Sequence, residues 1–219
     1  MQQLCISLVP IFNHLQLDVM KEIASTTQSS HYERNQEIFG AGENSDSLYI
    51  VHRGKVKVYR LSESGKEQLI RILDPGDFIG EQALFTESVH ENYAVALEKT
   101  ELCVMKRSEL QALLLQYPMI SFKIMEEFSR RLGQAEKQVS SLTSEATEKR
   151  IATYLVELAE GQQAALITLP MTKKDLASYL GTTPETVSRK LTEFQEQHWI
   201  EQVGQGIIRI INKDALSAL

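Results

Sequence analysis

Two cysteines, scattered histidines and no apolar run of eighteen residues exclude several protein classes for this 219-residue sequence. Cys5 and Cys103 belong to no Cys-x-x-Cys pair and no Cys/His cluster, so zinc and iron–sulfur clusters have no ligand set. The five histidines, at 14, 31, 52, 90 and 198, show neither H-x-H nor H-E-x-x-H spacing. A phosphate-binding Walker loop and a G-x-S-x-G nucleophile elbow are also missing. No catalytic residue, metal ligand or cofactor is assigned, and an enzyme is not expected. A cupin-type metalloenzyme in particular would need clustered histidines and carboxylates. The early segment "LCISLVPIF" is too short to cross a bilayer and lacks a basic flank, so a cytoplasmic protein without membrane contact is the expectation.

Basic charge is scarce as well. The formal net charge is −6, which excludes a broadly cationic nucleic-acid coat. The deficit is uneven: 15 basic against 20 acidic residues lie up to position 147, and 8 against 9 beyond it. The C-terminal part is thus nearly neutral, and it gathers Lys173, Lys174, Arg189 and Lys190 in one region. A few well-placed cations suffice for phosphate contacts in a sequence-specific binder, though non-specific binding should then be weak.

That region contains "MTKKDLASYLGTTPETVSRKL". Thr172 is a good N-cap for a short helix whose Leu176, Ala177 and Leu180 face inward. Gly181 suits the left-handed conformation that ends it. Thr183 then caps a second helix with Pro184 at its first position, where a missing N–H costs nothing. Val187, Leu191 and Phe194 mark the inward face of this second helix. Glu185, Ser188 and Arg189 lie on a different face within the first turn and a half. Two short helices around a tight turn make a helix-turn-helix, whose second helix offers its N-terminal end to a DNA groove. Arginine bonds guanine bidentately, and glutamate accepts from a cytosine amino group. A solvated i,i+4 Glu–Arg pair on an isolated helix is the alternative, and the preceding helix and turn argue against it.

Elsewhere the texture divides by period. Residues 10 to 27 read as a helical entry. From about 30 to 107, short alternating runs are cut by glycine turns every ten or so residues, the pattern of an all-β roll or barrel. One hairpin is expected at Arg53-Gly54 and a second at Ser64-Gly65, with a turn in "DPGDFIGE" and two strands in "NYAVALEKTELCVMKR". After a short helix ending near Pro118, apolar residues fall at Ile120, Ile124, Phe128, Leu132, Ala135, Val139 and Leu142, close to the repeat of a coiled-coil seam. Self-pairing is the preferred reading of this long helix; covering the roll is the other. Beyond "TSEAT", a helix stopped by Gly161, a strand "ALITLP", the helix-turn-helix, a hairpin around Gly204-Gln205-Gly206 and a last short helix make a winged helix-turn-helix. The expected organisation is α+β: helix and β-roll over 1–117, a dimerisation helix over 118–143, and a winged helix-turn-helix over 144–219.

Roll, long helix and winged helix in that order, with "PGDFIGEQALF" and "DLASYLGTTPETVSRKL", resemble the CRP/FNR superfamily of bacterial transcription regulators over nearly the whole chain. The resemblance implies a cyclic-nucleotide-binding-type roll and a homodimer paired through Ile124, Phe128, Leu132, Ala135 and Val139. It also implies double-stranded DNA with palindromic sites as partner, and RNA polymerase as a further one. The FNR-like branch carries E-x-x-S-R at this helix start. Glu185, Ser188 and Arg189 match it and imply TTGA-like half-sites, with Thr183, Lys173, Lys174 and Lys190 as supporting contacts. Members that bind cyclic AMP place Arg-Ser or Arg-Thr after the Gly-Glu motif. Here Gly80-Glu81 are followed by Asn92 and Tyr93, and no basic residue lies between Arg71 and Lys99. A cyclic phosphate buried without a cation is disfavoured, so cyclic AMP is not expected as a ligand. The branch's N-terminal iron–sulfur cysteines are missing too.

The plain reading of Cys103, in "LCVM", is a small core residue. Family architecture would set the segment carrying Cys5 against the roll, and any intramolecular disulfide must join these two. Some FNR-like regulators without a cluster are thought to sense redox through thiols, which makes Cys5 and Cys103 a candidate redox pair. Two other readings remain: a roll responding to an unidentified small molecule, and a regulatory module whose C-terminal domain docks a protein. A docking helix would not need polar E-x-x-S-R residues at its start.

Overall fold

The computed structural model describes residues 5–219, without the side chains of Cys5, Ala83 and Leu84. The chain divides into two units, Met1–Lys66 with Ile70–Gly133, and Glu67–Leu69 with Gln134–Leu219.

The first unit opens with α1 (Leu17–Ser25) and continues through β1 (Gln28–Tyr32), β2 (Glu37–Phe39), β3 (Asn44–Ser45), β4 (Ser47–Arg53) and β5 (Val56–Leu61). Next come β6 (Glu67–Leu73, of which Ile70 onward belongs to this unit), β7 (Phe78–Ile79), β8 (Ser88–Val89), β9 (Tyr93–Ala96) and β10 (Thr100–Lys106). Two four-stranded sheets result, ordered β1-β10-β4-β7 and β2-β9-β5-β6, with β3 and β8 paired separately. The expected β-roll is present. The hairpin expected at Arg53-Gly54 is instead a corner, because β4 pairs with β10 and β7 while β5 pairs with β9 and β6. Gly54 makes the corner possible: at φ +85° a Cβ would stand 2.6 Å from the Lys99 carbonyl oxygen. The chain therefore changes sheets here, and Val51, Val56, Val58, Ala94 and Leu102 fill the space between them.

A second cluster in this unit joins Ile50, Phe78 and Met105 to α2 (Arg107–Gln116) and to the start of α3 (Met119–Ser144). Ile120 and Ile124 are fully buried in it. The long helix thus covers the roll with its first two turns, which is the alternative reading of the apolar stripe.

The second unit carries α4 (Thr147–Gln162), β11 (Leu166–Thr168), α5 (Lys173–Tyr179), α6 (Pro184–Glu196), β12 (Ile200–Gly204), β13 (Ile207–Ile210) and α7 (Lys213–Ser217). Helix α4 runs through Gly161 rather than stopping there. Its end is set two residues later by Gln163, which takes the left-handed conformation at φ 50°. The three strands form one sheet, β11-β13-β12, with the β12–β13 hairpin as the wing. Ile151, Leu155, Leu176, Val187, Leu191, Phe194 and Ile208 close a single core, so the inward faces expected for α5 and α6 are the observed ones.

Candidate nucleic-acid interface

Local chemistry fixes both helices of the helix-turn-helix. The Thr172 hydroxyl accepts from the Asp175 N–H at 3.1 Å to start α5, and the Thr183 hydroxyl accepts from the Thr186 N–H at 3.3 Å to start α6. Pro184 occupies the first position of α6, and Gly181 between the helices has φ +61°. With Val187, Leu191 and Phe194 buried, Glu185 and Arg189 project into solvent and Ser188 is half-buried. The Arg189 side chain is 67% exposed, with Glu193 only loosely engaged at 3.7 Å. Glu185 accepts from its own backbone N–H and from Thr183, which holds its carboxyl below the usual carboxylate range. A hydrogen-bonding carboxylate and an available guanidinium therefore share one helix end.

The four lysine and arginine positions expected to form a cationic footprint are not equivalent. Lys174 is exposed. Lys173 reaches the wing, donating to Gln202 Oε1 at 3.0 Å. Lys190 departs from the expected role. It turns back toward α4, where its Nζ lies 3.4 Å from Glu148 and also pairs with Glu193, leaving the side chain 20% exposed. The Glu193 bond, followed by the nearby Glu148 charge, raises its pKa. Two carboxylates compete with any phosphate for this ammonium.

In the roll, cations reach the Gly-Glu motif from other elements. Glu81 Oε1 accepts from Arg71 at 3.1 Å and from Arg131 of α3 at 2.8 Å. Arg131 also donates to Glu127 at 2.6 Å and to the Phe78 carbonyl at 3.1 Å, and its guanidinium lies over the Phe78 ring. Burial opposes charge on Glu127, but bonds from Arg130 and Arg131 outweigh it and hold the carboxyl below its ordinary range. Asn92 accepts from Arg60 at 3.2 Å, and Tyr93 stacks on Tyr59. No sequence window around Glu81 contains Arg131, fifty residues away, so only packing reveals it. Among the described residues, no group of three His, Cys, Asp or Glu side chains is placed to hold a metal ion.

The residues expected at a dimer seam separate along α3. Ile124, 1% exposed, is used up in its own roll and leaves no surface for a partner. Phe128 is half-buried, with its ring edge-to-face on Phe85. Leu132, Ala135 and Val139 are exposed, as are Met125 and Leu142. Together with half-buried Phe128, the exposed apolar residues follow a 3-4 alternation from 125 to 142, displaced by one residue from the expected stripe at its start. Cys103 packs in the roll core, as a small apolar residue would, and is disulfide-bonded. The side chain of Cys5, the other member of the expected redox pair, lies outside the described residues.

Comparison with known proteins agrees with this geometry. A model of the cyclic nucleotide-binding domain matches residues 29–117, and a model of the Crp-like helix-turn-helix domain matches residues 149–219. The chain is 33% identical to the "Probable transcriptional regulator flp" of Lacticaseibacillus casei, over 96% of this chain and 95% of that protein. It is 32% identical to the transcriptional activator protein Anr of Pseudomonas protegens, over 93% and 84%. Among solved structures, FixK2 from Bradyrhizobium japonicum superposes with a TM-score of 0.77 at 28% identity, covering 88% of this chain and 96% of that one.

Proposed function

The chain belongs to the CRP/FNR family of transcription regulators, and from that premise we propose that it acts as a homodimer on palindromic DNA with TTGA-like half-sites. The family is one of regulators, not enzymes, and its helix-turn-helix binds DNA. The observation that carries the finer reading is the start of α6, where exposed Glu185 and Arg189 and half-buried Ser188 follow a Thr-capped, Pro-started turn. Arg189 bonds a guanine, Glu185 a cytosine or adenine amino group, and Ser188 a thymine or a neighbouring base. Lys173 and Lys174 serve phosphates.

The dimer forms along Met125, Phe128, Leu132, Ala135, Val139 and Leu142 of α3, which sets the half-sites about one helical turn apart. Cyclic AMP is not the effector: Asn92 and Tyr93 replace the Arg-Ser or Arg-Thr pair of members that bind it, the neighbouring Arg60 is engaged by Asn92 and Glu91, and two guanidinium groups already bind Glu81 Oε1. The disulfide at Cys103 supports a redox response, with Cys5 as the partner cysteine. The regulator works in the cytoplasm and acts on RNA polymerase. Selection of bound duplexes from a randomised pool tests the reading: a TTGA palindrome supports it, and an unrelated or absent consensus refutes it.

A further inference from the structure

Arg150 sits in the first turn of α4, the positive end of a helix dipole, where a cation is unfavourable unless something else compensates. It is nonetheless 91% buried, since 9% of it is exposed. Three groups hold its guanidinium. Nη1 donates to the Glu145 carbonyl at 2.6 Å, just past the end of α3. Nη2 donates to the Thr147 hydroxyl at 3.1 Å. Nε donates to the carbonyl of Leu180, the C-cap of α5, at 3.1 Å. Helix C-termini leave carbonyls without intrahelical partners and carry partial negative charge, so one buried cation serves two of them.

The Leu180 carbonyl lies in the turn that launches α6. Two more side chains grip that turn. Gln138 Nε2 donates to the Tyr179 carbonyl at 3.2 Å, and a Cβ on Gly181 would fall 2.7 Å from a Leu142 methyl carbon. Residues 179–181 are thus held in succession by Gln138, Arg150 and Leu142. None of these three belongs to the helix-turn-helix.

We propose that Arg150 is a positioning residue for DNA reading, fixing the turn between α5 and α6 by capping the C-terminal ends of α3 and α5 together. Base-edge contacts at the start of α6 depend on where that turn places the helix, whereas phosphate contacts carry no sequence information and serve specific and scrambled duplexes alike. Lysine cannot replace the arginine, since a single ammonium does not span three acceptors with the fork of a guanidinium. The inference rests on the DNA-reading role of α6 but not on the TTGA consensus.

The test uses the full-length protein and the variants Arg150→Gln, Arg150→Lys and Gln138→Ala. Amide hydrogen exchange without DNA reads the turn itself; affinities for the duplex the parent enriches and for a scrambled duplex read its consequence. For Arg150→Gln, exchange at residues 179–183 is expected to rise about tenfold or more, and specific affinity to fall about tenfold, with the scrambled duplex changing less than about twofold. Arg150→Lys should behave like Arg150→Gln, and Gln138→Ala should shift both readouts the same way by a smaller factor. Turn exchange and specific affinity both within about twofold of the parent would overturn the proposal, as would equal losses on both duplexes. Should Arg150→Gln fail to fold, Arg150→Lys and Gln138→Ala decide by the same criteria. If the parent enriches no duplex, the reading of α6 is what fails, and the exchange at 179–183 still decides for or against Arg150.

Discussion

Arg131 Nη1 donates to Glu81 Oε1 at 2.8 Å, joining the long helix to the Gly-Glu motif of the roll fifty residues earlier. With Arg71 on the same oxygen, Oε1 carries two guanidinium bonds, while the buried Oε2 has no hydrogen-bond partner. A sugar hydroxyl directed at Oε1 would have to compete with two charge-assisted hydrogen bonds, each about twice as strong as a neutral one. Calorimetric titration with cyclic AMP is expected to show no binding at micromolar concentrations. A micromolar Kd would contradict this, and would mean that Arg60, Arg71 or Arg131 leaves its present partners for the phosphate.

Exposure along α3 separates two kinds of substitution. Leu132→Glu puts a charge in an exposed apolar line and should yield folded monomers that bind DNA poorly, as sedimentation would show. Ile124→Ala should leave the dimer intact and cost the roll about 2–5 kcal/mol, the range for truncating a buried aliphatic side chain. A dimer that survives Leu132→Glu unaltered would move the interface off this face.

The lysines should divide likewise. Lys174→Ala, and Lys173→Ala if its ammonium leaves Gln202 for a phosphate, should weaken all duplexes about equally and flatten the salt dependence by about one unit each. Lys190→Ala should leave the salt slope unchanged, because Glu148 and Glu193 hold that ammonium. Measuring log Kd against log salt for each variant checks this; a reduced slope for Lys190→Ala would return it to the interface.

For the cysteines, a Cys5–Cys103 bond would close a loop of about 100 residues, and chain entropy allows such a crosslink up to ~4–5 kcal/mol. Reduction of the parent should lower its thermal midpoint and change its DNA affinity. Cys5→Ser should abolish both responses. A Cys5→Ser protein that still answers oxidant as the parent does would end the redox reading.

What was legible in the sequence is what short stretches decide. The caps Thr172 and Thr183, the left-handed Gly181 and the inward trio Val187, Leu191 and Phe194 depend on neighbours within a turn or two, and each stands in the structure as read. The errors share the opposite property. Gly54 suggests a hairpin locally, but its strands find partners in different sheets. Gly161 suggests a helix end, yet an exposed helix tolerates glycine at about 1 kcal/mol, and the end fell at Gln163. Ile124 fits an apolar seam, but the roll had the prior claim on it. Arg131 and Arg150 give no local signal, because Glu81 and the Leu180 carbonyl that they bind lie in other elements.

The most direct measurement compares Arg189→Ala with the parent on a TTGA palindrome, on the same palindrome with single-base changes, and on scrambled DNA, by fluorescence anisotropy. The parent should prefer the palindrome. Arg189→Ala should lose about 1–3 kcal/mol on it, become indifferent at one position of each half-site, and bind scrambled DNA nearly as before. A parent that binds palindrome and scrambled duplex equally, or an Arg189→Ala protein that keeps full selectivity at every position, would contradict the account.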